Sequence, residues 1–334
     1  MNDAVLKSGM FQERLEKRQR SARIWHSILL ACTLLGILVL TMMIIDIVID
    51  GAEYLTPNLF ANNHSRFPEK AGMNSGIVGS VYNVLLTALF CFPLGIAAAI
   101  YLEEYAPKNK LTDFINININ NLAGVPSIVY GMLGLTVFGR MFGLFAPDSA
   151  LAQFFKLTIE PGVVGGMQFN IFGLEGLQIH LPFGRSLLAG GMTMSLLILP
   201  TVIISSREAI RAVPTSIREA AFGLGATRWQ MIRTQVLPVS FPGILTGIIL
   251  AMGRALGETA PLIIMGAFMY VPFLPENIWD KFTTMPIQIY NWITLPQPEY
   301  NVHLAAAGII VLLAVLLGMS GLAIYLRNKL QVKW

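Results

Sequence analysis

Charge is what this chain has least of. Asp, Glu, Lys and Arg make up 13% of its 334 residues, about half the share in an average soluble domain. A soluble chain so poor in charge would leave its surface uncovered, and a disordered one would be polar and charge-rich. Cysteine is nearly absent. Cys32 and Cys91 stand inside apolar runs, which excludes a disulfide framework and reads as two small hydrophobes. The four histidines, His26, His64, His180 and His303, have no metal-ligand spacing with one another or with the cysteines. No Gly-x-x-x-x-Gly-Lys-Ser/Thr phosphate loop occurs, so this chain is not expected to be an ATPase itself. The acid pairs Asp46/Asp50 and Glu103/Glu104 fall at the ends of apolar runs rather than inside one cavity. A membrane-embedded enzyme is therefore the weaker reading.

What is abundant is apolar sequence. Hydrophobic residues make up 54% and the mean hydropathy is +0.63. A membrane helix needs about 20 mostly apolar residues, and six stretches qualify: Ser27–Ile45, Gly76–Leu102, Phe114–Gly139, Ser186–Ser206, Val239–Val271 and Leu304–Leu326. They are expected to be helical, because in lipid each backbone N–H and C=O needs an internal partner. The fold class expected is all-α integral membrane with six spans. With both termini inside, sixteen of the 23 Lys and Arg residues lie in inner segments and six in outer ones, as the positive-inside rule requires.

The basic N-terminal segment, residues 1–25, precedes a run too long for a signal peptide, so an uncleaved first helix is expected. Residues 7–23 read either as a basic amphipathic helix on the inner membrane surface or as a solvated tail. The first span and an outer loop occupy 26–75, and the remaining spans 76–330. Residues 146–185 form a long, glycine-rich outer insertion. Within it, 168–172 and 177–181 alternate polar and apolar residues around Gly173–Gly176, the pattern of a β-hairpin.

The most informative polar stretch is the inner loop 207–238. Ser216 and Glu219 are spaced as a capping box, Gly225 suits a left-handed helix stop, and Thr227 and Gln230 form a second capping box. The expectation is two short helices, the second ending near Leu237 before Pro238. Such a pair can bind DNA, but here both ends are leashed to the membrane, so nucleic acid is not expected. Lying on lipid is one alternative. Docking a soluble partner is the stronger one, with Ala220 and Ala221 allowing close approach and five arginines offering polar anchors.

One charged pair lies inside a span. Arg254 and Glu258 are four residues apart, hence on one helical face. Charge within a span is costly and tends to face a bundle interior or a wet cavity. A guanidinium fork matches an oxyanion and keeps its charge. The pathway reading stands beside a plainer one, an ion pair that only holds span five to its neighbours. Gly253 and Gly257 are expected to permit close packing or backbone access, and Pro261 to kink the helix. Pro126 breaks span three and leaves Ser127 and Tyr130 one turn apart, either lining the pathway or satisfying the kink. Asn83 and Thr87 read as helix–helix contacts.

Glu219-Ala220-Ala221, then Gly225 and Leu237-Pro238, resembles the EAA signature of ABC-importer permeases, with Gln235 standing where the family usually has Ile or Val. Asn121–Gly131 and Gly253–Pro261 look like the phosphate-importer permeases, closer to the PstA type of subunit than to its PstC sister. The resemblance covers roughly Gly76 to Leu330. It implies the type I (MetI-like) permease fold in a bacterial inner membrane and an ATPase-coupling role for Glu219, Ala220, Ala221 and Gly225. The implied partners are two ATP-binding subunits holding ATP and Mg, a second, PstC-like permease, a periplasmic phosphate-binding protein and membrane lipid. It implies no cofactor or metal on this chain. Sulfate, molybdate or phosphonate permeases share the fold, and a secondary transporter is a further alternative.

Overall fold

In a computed structural model, residues 2–140, 167–170, 178–181, 184–267 and 270–330 are described. Among them, five helices are long and apolar enough to cross a membrane, and a bent pair supplies a sixth crossing. α1 (Asn2–Gly51) is one unbroken helix of 50 residues, so the basic N-terminal segment and the first span are continuous. None of its apolar window is buried. Leu29, Leu38 and Ile49 stand exposed along it, a surface suited to lipid. Its last turn alone is anchored: the Asp50 carbonyl lies 3.1 Å from His303 Nδ1, whose ring stacks on Tyr54.

α2 (Pro57–Ala61) and two tight turns form the loop that follows. α3 (Asn74–Ile100) carries span two and ends in a π-helical turn, Tyr101–Tyr105. The third span is broken as expected, into α4 (Lys110–Ala123) and α5 (Ser127–Gly134, with a π turn to Gly139), bent by 103°. Pro126 causes the break: it has no N–H to give, and it drives Val125 out of helical geometry. The expected hairpin forms. β1 (Met167–Asn170) pairs antiparallel with β2 (Gln178–Leu181), Met167 opposite Leu181. Its turn and most of the 146–185 insertion lie outside the described residues.

α6 (Leu187–Arg211) carries span four, and the side chain of Ser186 caps it by accepting the Ala189 N–H. It is the central helix, with 72% of its apolar window buried. α7 (Thr215–Gly223) and α8 (Arg228–Met231) form the polar hairpin. α8 does not stop before Pro238 as expected. It runs through a π turn into α9 (Leu237–Gly257), giving one helical rod from Arg228 to Gly257. Pro238 therefore lies inside this rod, directly after the π turn Ile232–Val236. α10 (Ala260–Met265), α11 (Met285–Thr294) and α12 (Ala305–Leu330) complete the chain. α11 corresponds to no expected span. It is too short to cross and is buried along Met285, Ile287, Gln288 and Trp292.

Three apolar clusters hold the bundle. The middle one joins Cys91, Tyr130, Ile198, Ala251 and Met265. A second gathers Leu59, Met73, Trp292, Tyr300 and Ala307 near the α1–α12 contact. The third, at the opposite end, packs Ala99, Ile210, Ala221, Met231 and Val236.

The 55–73 loop is clamped to the second cluster. Tyr300 donates to the Ser65 carbonyl at 3.0 Å, and Gln288 Nε2 to Gly72 at 2.7 Å. His64 is buried against Tyr270 and Trp292, and the Arg66 guanidinium lies over the Tyr270 ring, 5.6 Å from its centre. Burial pushes His64 from 6.5 down to about 4, so the folded loop holds it neutral. The stability this contributes is present above about pH 6.5 and is lost as the pH falls toward 4. The protection factors of the amides across residues 57–73, taken relative to the intrinsic exchange rate at each pH, are expected to fall through that window. His64→Phe should flatten the dependence; an unchanged slope in that variant would show that another group titrates.

Candidate functional site

α9 ends earlier than the sequence spacing implies. Gly257 is its last residue, and Glu258 is extended (φ −76°, ψ 126°). The chain restarts at Ala260, with Pro261 in the first turn of α10, and turns again at Gly266. Arg254 and Glu258 still meet: Arg254 Nε donates to Glu258 Oε1 at 3.1 Å. The arginine side chain is 47% exposed and the glutamate 19%. Neither Nη group of Arg254 has a hydrogen-bond partner among the described residues. The edge of the fork that best matches an oxyanion is therefore open, while Nε is occupied. Gly253 and Gly257 face open space. Among the described residues nothing packs on them, so of the two expected roles the arrangement fits backbone access, and the flank of Arg254 is left uncovered.

The two broken spans meet beside this pair. α5 lies so close to α10 that a Cβ on Gly131 would come 2.7 Å from Pro261 Cα. Irregular backbone inside a membrane protein is tolerated where it is packed in protein or lines a cavity. Tyr130 is 6% exposed, in the same cluster as Ala251 and Ala255 of α9. Its hydroxyl is already used, donating to the Leu122 carbonyl at 2.8 Å, one of those the break at Pro126 releases from α4. Ser127 is half-buried in the first turn of α5 and makes no hydrogen bond to the described residues.

Glu258 also lines a narrow crevice with Ser80, Asn83 and Thr284. Asn83 Oδ1 and Thr284 Oγ1 are buried there without partners, which is costly unless something completes them. Thr87 is a helix–helix contact as expected, bonded to Asn83 and Gly191 carbonyls. Asn83 is that and a crevice wall besides. The sequence signal for the crevice was faint, because Ser80, Asn83 and Thr284 come from segments 200 residues apart.

At the far end, the α7–α8 hairpin differs from its sequence reading in three respects. α7 begins after Pro214 with no side-chain cap, so the Ser216/Glu219 box does not form. Pro214 takes the N-cap position, so Ser216 falls at the second residue inside α7 and not at the cap from which its hydroxyl could accept an N–H. The second box does form: Thr227 Oγ1 accepts from Gln230 N–H, and Gln230 Oε1 from Thr227 N–H. Second, Ala221 is buried, packing inward with the third cluster. Glu219, Ala220 and Gly225 are exposed, and Gly225 takes the expected left-handed turn at φ 81°. Phe222, Leu224 and Trp229 are exposed too, Leu224 by 90%. These apolar residues in a polar hairpin are the docking candidates that attention to the alanines missed. Third, most of the arginines are engaged within the chain. Arg207 and Arg211 pair with Glu103, Arg218 pairs with Glu104, and Arg228 lies over the Tyr105 ring. Gln235 is exposed, so the apolar residue usual at that position is not missed by the core.

The description "Binding-protein-dependent transport system inner membrane component" matches residues 91–331. Phosphate transport system permease protein PstA of Yersinia pestis is 30% identical over 332 residues, covering 98% of this chain and 97% of that protein. PstC of Mesorhizobium japonicum is 32% identical, covering 79% and 76%. A probable ABC transporter permease of Bacillus subtilis, YqgI, is 29% identical over 77% of this chain and 73% of its own length. Among solved structures, a chain of a bacterial alginate ABC transporter aligns with a TM-score of 0.63 at 17% identity, over 95% of this chain and 98% of that one. A MetNI methionine ABC transporter chain aligns at 0.54 and 14%, over 78% and 96%. The overall fold is thus shared with ABC-transporter chains, and this multi-pass chain is a member of the family of binding-protein-dependent transport system inner membrane components, the permeases of ABC importers.

Proposed function

We propose that this chain is one permease subunit of an ATP-driven phosphate importer, forming half of the pathway beside a second, PstC-like permease. The observation that carries the reading is Arg254, a permanent cation with two unpaired Nη groups where two broken spans meet. Phosphate transport in the names of the PstA and PstC relatives supports the substrate. Glu258 competes with the anion for the guanidinium, which limits how tightly the ion is held and so allows it to leave. Ser127 lies beside the path, and Tyr130 keeps the bend of span three in place.

Two ATP-binding subunits, which hold ATP and Mg, dock on Glu219, Ala220, Gly225 and the exposed Phe222 and Leu224. The hairpin, and with it both chain termini, lies on the cytoplasmic side, in keeping with the distribution of Lys and Arg. A periplasmic phosphate-binding protein meets the opposite end. Closure of the ATPases pulls α7 and tilts α6 and α9, opening the outer end to accept the anion.

The test is labelled phosphate uptake in cells that lack their own high-affinity system and express this chain with its partners. Uptake resisting excess sulfate and molybdate is expected. Uptake abolished by either competitor would reassign the substrate to another oxyanion.

A further inference from the structure

Glu103 and Glu104 are consecutive, yet both turn toward the same end of the bundle. The π turn over Tyr101–Tyr105 makes this possible by widening the last turn of span two. Glu103 takes Arg207 and Arg211 of α6 at 3.4 and 2.9 Å. Glu104 reaches further, to α7. It is 7% exposed and accepts from Arg218 Nη2 at 2.9 Å and Nε at 3.1 Å. The same guanidinium donates to the carbonyls of Ile210 and Val213. One side chain thus ties the docking helix to the end of span two, to the last turn of span four and to the linker between spans four and α7. A second tie runs from the start of α8 to the same π turn, with the Arg228 guanidinium 5.2 Å from the centre of the Tyr105 ring.

α3 carries these contacts to the other end of the bundle. From Glu104 to Ser80 is 24 residues of helix, about 36 Å. There Ser80 accepts the Met285 N–H at 2.8 Å, and Ser80 and Asn83 wall the crevice that Glu258 lines. Spans four and five join the hairpin covalently. Span two has no covalent link to it. Glu103 and the packing of α3 on α6 tie span two to span four, and the Glu104–Arg218 pair is its direct ion pair with α7.

We propose that the Glu104–Arg218 pair is the strut that makes span two move with the docking helix, so that Glu104 and Arg218 are positioning residues for coupling. The proposal rests on the docking role given above to the 207–238 hairpin. Breaking the strut should leave the ATPase docked but hydrolysing ATP without moving the anion.

The test uses the complete complex, two permeases with the ATPase and the binding protein, and reads phosphate imported per ATP hydrolysed. The unsubstituted complex is measured first: absence of ATP-dependent uptake there would refute the transport reading itself, separately from the strut. Glu104→Gln is expected to lower the ratio at least tenfold with the copurified ATPase unchanged. Arg218→Gln should match it, and the double variant should be no worse than either alone. Glu104→Asp, which keeps the charge with a shorter reach, should lie between and serves if the Gln variant does not assemble. A normal ratio in Glu104→Gln or Glu104→Asp would overturn the proposal. So would loss of uptake in step with loss of bound ATPase, since Glu104 would then only keep α7 folded.

Discussion

Arg254→Ala is expected to reduce anion uptake by two orders of magnitude or more while leaving the chain in the membrane and its partners bound. The side chain is half exposed and packs little, so its loss removes a charge rather than a support. Glu258 would then line its crevice as an uncompensated carboxylate facing an incoming anion. Arg254→Lys separates charge from geometry. Lysine keeps the cation but brings a compact ammonium in place of a planar fork. With Nε committed to Glu258 and both Nη groups open, the two-point contact should be lost while attraction persists, leaving uptake at roughly a tenth. Uptake kinetics on membranes with matched amounts of complex measure both variants. Normal uptake by Arg254→Ala would make the Arg254–Glu258 pair a brace for the broken fifth span and nothing more.

The second large effect is expected at the hairpin. Leu224 is 90% exposed, so Leu224→Asp should change the stability of the chain itself by no more than about 0.5 kcal/mol. An exposed apolar residue at a docking surface is a hot-spot candidate. Replacing it with a charge should cost about 2 kcal/mol or more in partner affinity, roughly a thirtyfold loss. ATPase copurifying with the permease should fall accordingly, and Glu219→Lys should act in the same direction. Ala221→Leu provides the contrast. Ala221 packs inward, so the larger side chain overfills the third cluster at about 1–3 kcal/mol and lowers expression before it affects docking. Unchanged copurification in Leu224→Asp would move the docking surface elsewhere on the hairpin.

Periodic and local features were legible in the sequence. The apolar runs marked the spans, Pro126 marked the break in the third, and alternation marked the two strands of the hairpin to within two residues at each end. Thr227 and Gln230 announced their capping box because both partners lie within one turn. Sequence reading erred where a local rule had a competitor. Ser216 and Glu219 have the right spacing, but Pro214 had already set the helix start. Arg254 and Glu258 fit one helical face, yet the helix ends at Gly257 and a flexible side chain bridges the gap.

What sequence reading could not reach depends on distant parts of the chain. The arginines of the hairpin looked like anchors for a partner. Three of them find Glu103 or Glu104, about 100 residues earlier. Ala221 looked like part of an open surface because its helix is polar, but its face is fixed by Ala99 and Met231 beneath it. The crevice beside Glu258 needed α3, α9 and the segment before α11 to be brought together. The buried α11 was hidden because a helix of ten residues is too short to register as a span.

The most direct test of the account is uptake into sealed proteoliposomes holding the complete complex, with the binding protein and labelled phosphate on one side and ATP on the ATPase side. The account predicts accumulation against a gradient that needs ATP, stops with a non-hydrolysable analogue, and is lost in Arg254→Ala. Phosphate flux that proceeds downhill without ATP and survives that substitution would contradict it, and would describe a channel or secondary transporter instead.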